Sequence, residues 1–277
     1  MRLLRLLLAT ALAVPTLLAA PAIADLPDCG VKPANAAAAA ATTTVWIAGD
    51  STVANPSSGT TCPVGWGAQF DPLFNSDVVV NNLAIGGRSI QTWLYEGNVT
   101  STIGSDGECV LSSTAYSSRW QQVLNGIKAG DYLFIQFGIN DGSATCPRHV
   151  GTSRYQSLMT YMANTAKAKG ANPVLLTAVA AITCSGSTAV KNRGFVTQTQ
   201  AAASATGSPL IDLQTLSVNH YNAVKLCPNN GDYNSGLVGQ YFCADHTHFE
   251  AYGALQIARL ITGALRSQNI PLAAYLL

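Results

Sequence analysis

The sequence predicts an α/β fold: a three-layer α/β/α sandwich around a central, mostly parallel five-stranded sheet. Three observations predict it. Short apolar, β-branched runs alternate with helical patterns from Thr43 onward. The runs are mostly apolar and do not strictly alternate with polar residues, as in strands covered on both faces. The segments after the first three runs are rich in Gly, Asn and Ser, and in such sheets the ligand crevice lies at the carboxyl ends of the strands.

The strands are expected at 43–48, 77–83, 131–137, 173–179 and 209–213. Helices are expected at 119–127, 155–169, 192–205, 213–226 and 250–266. The last has apolar residues recurring at three and four, the spacing of an amphipathic helix. No internal repeat and no second composition class appears, so 43–277 reads as one domain.

The residues before it read differently. Arg2 and Arg5 precede an apolar run, Leu6 to Ala20, which ends in Ala22-Ile23-Ala24. That is the charge, apolar core and small-residue cleavage pattern of a secretory signal peptide over 1–24, cut before Asp25. The run is short for a membrane-spanning helix, and no second apolar stretch of spanning length follows. Residues 25–42, with Pro27, Pro33 and the run Ala36 to Ala41, read as an Ala-rich leader or tether. A secreted, extracellular protein without a membrane partner after cleavage is expected, and a monomer.

The formal charge of +1 includes Arg2 and Arg5, while the first 24 residues hold no acid, so the remainder balances at −1. The electrostatic footprint of nucleic-acid binding is absent. The 10% charged fraction, with many Ser, Thr, Asn and Gly residues, suits contact with neutral, hydroxyl-rich material. Seven cysteines occur with no CxxC pair, which points to disulfides in an exported chain. The pairs expected are Cys227–Cys243, Cys62–Cys109 and Cys146–Cys184, with Cys29 left over. Asn98-Val99-Thr100 is an N-glycosylation sequon.

Chemistry concentrates in four places. Gly49-Asp50-Ser51 ends the first strand, and Ser51 is a candidate nucleophile; Gly, Asp and Ser are also ordinary turn formers. A serine hydroxyl needs a base, itself oriented by a third group. Of the four histidines, His246 and His248 lie in Cys243-Ala244-Asp245-His246-Thr247-His248, ahead of the last helix. Asp245 stands three before His248, a spacing that lets a carboxylate hold one ring nitrogen and leave the other free. Asp245 alone also reads as a helix cap. For developing negative charge, Asn140 follows the third strand and Gly87 the second, where a missing side chain lets the backbone N–H approach closely.

Taken together, Gly49 to Ser51, Gly87 in GGRS, Gly138 to Asp141 as GxND and Asp245 to His248 as DxxH resemble the SGNH hydrolases, in order and over nearly the whole domain. Within them, GDSTVA, AIGGRS, FGxNDG and DHTHF are most similar to rhamnogalacturonan acetylesterases of carbohydrate esterase family twelve. The resemblance implies the flavodoxin-like SGNH fold and a carboxylic ester hydrolase without cofactor. It implies Ser51 as nucleophile, His248 as general base and Asp245 as its orienter, with an oxyanion hole from the N–H groups of Ser51 and Gly87 and the Asn140 amide. The implied partner is an acetylated plant cell-wall polysaccharide. Ile139 stands where members of the acetylesterase group often carry His, and 104–116 has no place in the family pattern.

Arg88, Trp66 and Asp141 are the candidate substrate contacts, and Arg88 and the tryptophans have two readings each. Arg88 contacts a uronate carboxylate or forms an ion pair with Asp141 or another acid. Trp66 and Trp93 stack on sugar faces or pack inside. Asp245, His246 and His248 lack the HExxH spacing and third ligand of a zinc site, so no metal is expected. Acetylated xylan, short acyl esters and lipids are rival substrates, and a non-catalytic carbohydrate-binding module is the rival from another class.

Overall fold

The computed structural model describes residues 42–277. The expected signal peptide, the leader up to residue 41 and Cys29 lie outside the described residues.

The strands are β1 (Thr43–Gly49), β2 (Val78–Asn82), β3 (Val99–Ile103), β4 (Cys109–Leu111), β5 (Tyr132–Gln136), β6 (Asn172–Leu176), β7 (Cys184–Ser185), β8 (Thr188–Ala189) and β9 (Leu210–Ile211). The helices are α1 (Ile90–Leu94), α2 (Ser118–Gly126), α3 (Thr152–Ala168), α4 (Val196–Thr206), α5 (Leu213–Ala223), α6 (Gly236–Tyr241) and α7 (Ala251–Ser267). Five strands form one sheet in the order β2-β1-β5-β6-β9, and every pairing in it is parallel. Two antiparallel ribbons, β3-β4 and β7-β8, lie outside it.

Alternation along each strand sorts side chains between two cores, because successive Cβ atoms point to opposite faces. Val45 and Ile47 of β1 join Phe134, Val174 and Leu176 on one face, covered by α5, α6 and α7 through Tyr221, Tyr241 and Ile257. Trp46 and Ala48 join Leu133, Ile135 and Leu175 on the other, covered by α1 to α4 through Trp93, Trp120, Met159 and Ala202. Three layers result. Among the described residues, no helix is long and apolar enough to cross a membrane.

The cysteine pairings differ from expectation. The disulfides are Cys62–Cys243, Cys109–Cys146 and Cys184–Cys227, so Cys227–Cys243, Cys62–Cys109 and Cys146–Cys184 are all corrected. The partners are set by loops that meet only in the folded chain. Val64 N–H donates to the Phe249 carbonyl at 2.9 Å, laying the Cys62 loop against the turn that holds Cys243. Cys109 Sγ lies 3.2 Å from the His149 carbonyl, beside the Cys146 loop. The Ala189 N–H donates to Asn222 Oδ1 at 2.7 Å, docking the β7-β8 ribbon on the end of α5 near Cys227.

Candidate active site

β1 ends at Gly49, where neighbours leave no room for a side chain: a Cβ there would lie 2.7 Å from a Val53 methyl. The chain then turns, with the Val53 and Ala54 N–H groups donating to the Asp50 carbonyl. Asp50 is fully buried, and its Oδ1 accepts the Thr52 N–H at 2.9 Å and the Thr52 hydroxyl at 2.8 Å. Gln136, closing β5, donates through Nε2 to Thr52 Oγ1 at 2.8 Å. These bonds fix the turn from beneath and leave Ser51 partly exposed above it.

His248 reaches Ser51 from a different part of the chain. The turn between α6 and α7 is closed by the Cys243 N–H donating to the His248 carbonyl at 2.9 Å, and by the Phe242–Phe249 bridge. His246 takes a left-handed conformation at φ 59°, and its carbonyl accepts the Ile182 N–H. Within the turn, Asp245 Oδ1 accepts the N–H groups of Thr247 and His248, each at 2.9 Å. Its other oxygen lies 2.5 Å from His248 Nδ1, while His248 Nε2 lies 2.7 Å from Ser51 Oγ. An ionised carboxylate only accepts hydrogen bonds, so Nδ1 carries the proton and Nε2 offers its lone pair to the serine hydroxyl. Burial alone raises the Asp245 carboxyl, but the His248 and Thr247 bonds outweigh it and hold the group down at about 2.

The other histidines have separate partners. His220 is buried against the Tyr241 hydroxyl at 2.8 Å, His149 Nδ1 meets the Ser143 carbonyl at 2.8 Å, and His246 packs on the Tyr233 ring.

The loops after β2 and β5 meet beside this pair. Gly87 sits at φ 73°, a conformation glycine enters without strain, and a Cβ on Gly86 would lie 3.6 Å from the Ser51 Cβ. Asn140 Nδ2 donates to the Arg88 carbonyl at 3.1 Å, and its second N–H meets no acceptor among the described residues. The arrangement has the parts for acyl transfer: a hydroxyl on a base, a base on a carboxylate, and amide donors on adjoining loops.

The GDSL-like lipase/acylhydrolase family matches residues 47–254. The chain belongs to that family. Its relatives are carbohydrate acetylesterases, in line with the ester-hydrolase class expected from the motifs. The rhamnogalacturonan acetylesterase RhgT of Bacillus subtilis is 29% identical over 245 residues, covering 84% of this chain and 93% of RhgT. The rhamnogalacturonan acetylesterase of Emericella nidulans is 25% identical over 252 residues, covering 83% of this chain and 87% of its own. The crystal structure of YxiM from Bacillus subtilis matches with a TM-score of 0.64 at 27% identity, over 83% of this chain and 57% of that one.

Of the three candidate substrate contacts, Asp141 is corrected, while Trp66 and Arg88 take their alternative readings as a packed side chain and an ion-pair partner. Trp66 is fully buried, and its indole N–H donates to Gln136 Oε1 at 2.9 Å, so it packs inside and has no face for a sugar. Asp141 is also fully buried and accepts the N–H groups of Ile90 and Gly138. Arg88 pairs with Glu96, through Nε at 3.1 Å and NH2 at 2.5 Å, and not with Asp141. Glu96 is shared with Arg119.

Sequence reading missed Arg193 and Arg148. Arg193 is half-buried, donates through Nε to the Val179 carbonyl at 3.0 Å, and its charge opposes the rise that burial imposes on Asp50. Arg148 NH1 meets Asn140 Oδ1 at 3.4 Å. Neither belongs to a family block, and only the fold brings them to the site. Cys62, Cys243 and Glu250 form a cluster of potential ligand atoms, but the two sulfurs are bonded to each other.

Proposed function

We propose that residues 43–277 form the catalytic domain of a secreted, monomeric serine esterase that removes acetyl groups from plant cell-wall polysaccharide, with rhamnogalacturonan as the preferred substrate. The single observation that carries this reading is the continuous contact Ser51 Oγ–His248 Nε2–His248 Nδ1–Asp245 Oδ2, at 2.7 and 2.5 Å. The two rhamnogalacturonan acetylesterases among the relatives support the substrate, and three disulfides support an oxidising compartment.

In this reading His248 takes the Ser51 proton as Oγ attacks the acetyl carbonyl. Negative charge on the carbonyl oxygen is met by the N–H groups of Ser51 and Gly87 and by the Asn140 amide, already oriented before reaction. The sugar hydroxyl leaves with the proton from His248. Water then attacks the acetyl-serine by the same route and frees acetate. Asp245 stays ionised throughout, stabilising the imidazolium.

Acetate release from acetylated rhamnogalacturonan, acetylated xylan and a short aryl acetate tests the proposal, with wild type beside Ser51→Ala. Wild type should release acetate fastest from rhamnogalacturonan, and Ser51→Ala from none. Turnover surviving in Ser51→Ala overturns the nucleophile assignment. Faster release from xylan overturns the substrate assignment alone.

A further inference from the structure

Beside Gly87 the surface opens into a groove of ≈ 450 Å³, whose walls include Arg88, Thr92, Glu96, Pro147 and Arg148. Its charges are unequal. Glu96 is the acid among these wall residues, and both its oxygens are taken: Oε1 by Arg88 and Oε2 by Arg119. Burial raises the Glu96 carboxyl, but the two guanidinium groups prevail and keep it below its ordinary value. The anion is therefore fully engaged by cations, and Arg88 is spoken for.

Arg148 is not. Among the described residues its guanidinium meets no carboxylate, and its contact is the Asn140 side-chain oxygen at 3.4 Å. The segment carrying it is well anchored. Cys146 is bonded to Cys109, the His149 N–H donates to the Thr145 carbonyl, and the Val150 N–H donates to the Asp141 carbonyl at 3.1 Å. An exposed guanidinium thus stands on a fixed loop, in contact with Asn140 and sharing a groove with Gly87, two of the three proposed oxyanion donors. A guanidinium is matched in shape and charge by a carboxylate, which it binds through two parallel hydrogen bonds.

We infer that Arg148 is a specificity residue that binds the carboxylate of a uronic acid, on the acetylated sugar or the one next to it. A neutral pentose chain offers it no partner. The assignment rests on the reading that a sugar acetate is attacked by Ser51 with its carbonyl oxygen at Gly87 and Asn140. Arg88, the residue singled out by sequence, is left the structural task of holding Glu96.

Digalacturonic acid and its methyl ester, used as competitive inhibitors of aryl-acetate hydrolysis, test the assignment. Wild type should bind the acid about tenfold more tightly than the ester, as expected of a charge-assisted pair. Added salt should weaken the acid selectively. In Arg148→Gln the preference should fall to within about twofold, and Arg148→Lys should keep part of it, the charge remaining without the planar fork. The inference is overturned if wild type does not distinguish acid from ester, or if the preference survives in Arg148→Gln. It is also overturned if Arg148→Gln loses acid and ester alike, since the residue then only shapes the Asn140 loop. Titration calorimetry of the same two ligands repeats the comparison without turnover. A wild type that prefers the acid but releases no acetate would therefore sink the esterase reading and leave the carboxylate site standing.

Discussion

Asp141 and Ile90 join two loops that are far apart in sequence: Asp141 Oδ1 accepts the Ile90 N–H at 2.8 Å, while Oδ2 accepts the Gly138 N–H at 2.9 Å. One carboxylate thereby ties the start of α1, three residues beyond Gly87, to the loop that carries Asn140. Asn in place of Asp141 keeps the shape but turns one acceptor into a donor facing an N–H. Asp141→Asn is expected to destabilise the fold by about 1–3 kcal/mol, the cost of an unsatisfied buried group. It should also lower kcat by spreading the two donor loops. Urea unfolding and aryl-acetate kinetics on the same preparation check both effects.

The same residue sets a pH dependence. Burial pushes the Asp141 carboxyl up to about 7, against the lowering effect of the Ile90 and Gly138 bonds, and the neighbouring Asp50 adds to the rise. The native protein thus holds a proton that the unfolded chain, with an ordinary value of 3.8, has released. This contribution to stability is complete below the unfolded value and is lost as pH rises through the folded one. The stability margin of wild type over Asp141→Asn should therefore shrink between about pH 4 and 7. Unfolding midpoints at several pH values measure it, and a margin that grows with pH contradicts the assignment.

Asp245→Asn probes the base. The amide would present N–H to His248 or force the ring into the other tautomer, with the proton on Nε2 where Ser51 needs a lone pair. From the behaviour of serine triads, kcat should fall by about 10³–10⁴ with little change in KM. A loss below about tenfold would show that Asp245 is a turn-former only.

Gly253 lies at the start of α7, where an added Cβ would sit 2.1 Å from the Tyr241 carbonyl oxygen. Backbone blocks that position, so relief requires α7 to move away from α6. Gly253→Ala should cost about 1–3 kcal/mol, lowering Tm by several degrees. Because α7 follows directly on the His248 turn, the loss of activity should exceed that of a mutation equally destabilising elsewhere.

Replacing both Cys62 and Cys243 by Ser should cost about 2–5 kcal/mol. The bond spans 181 residues and fastens the loop following Ser51 to the turn holding Asp245. A drop in kcat is expected even at temperatures where the variant is folded, and thermal melts beside steady-state rates separate the two effects.

β1 and β5 were legible because strands buried on both faces are written as near-continuous apolar runs; β2, at the sheet edge with Val79 exposed, was legible from its run Val78 to Val80, and all three fall within one residue of expectation at each end. β6 was read too long, to 179, and stops at Leu176. Val179 and Ala180 are as buried as any strand residue. However, β5 ends at Gln136 and β9 at Ile211, both opposite Leu176, so the ladder has nothing further to pair with on either side. α1 and α6, at five and six residues, are too short to show a helical period. At the site, the meeting of Ser51, Asp245 and His248 could be anticipated because their order and spacing match a family pattern. Trp66, Asp141 and Arg148 were not, since burial and free charge depend on what the fold sets beside them.

Ser51 and His248 are 197 positions apart, and their contact depends on the final turn before α7. Under the proposed mechanism, a chain in which that turn has not docked carries at Ser51 only an ordinary alcohol, so hydrolytic reactivity belongs to the completed fold and to no single segment of it.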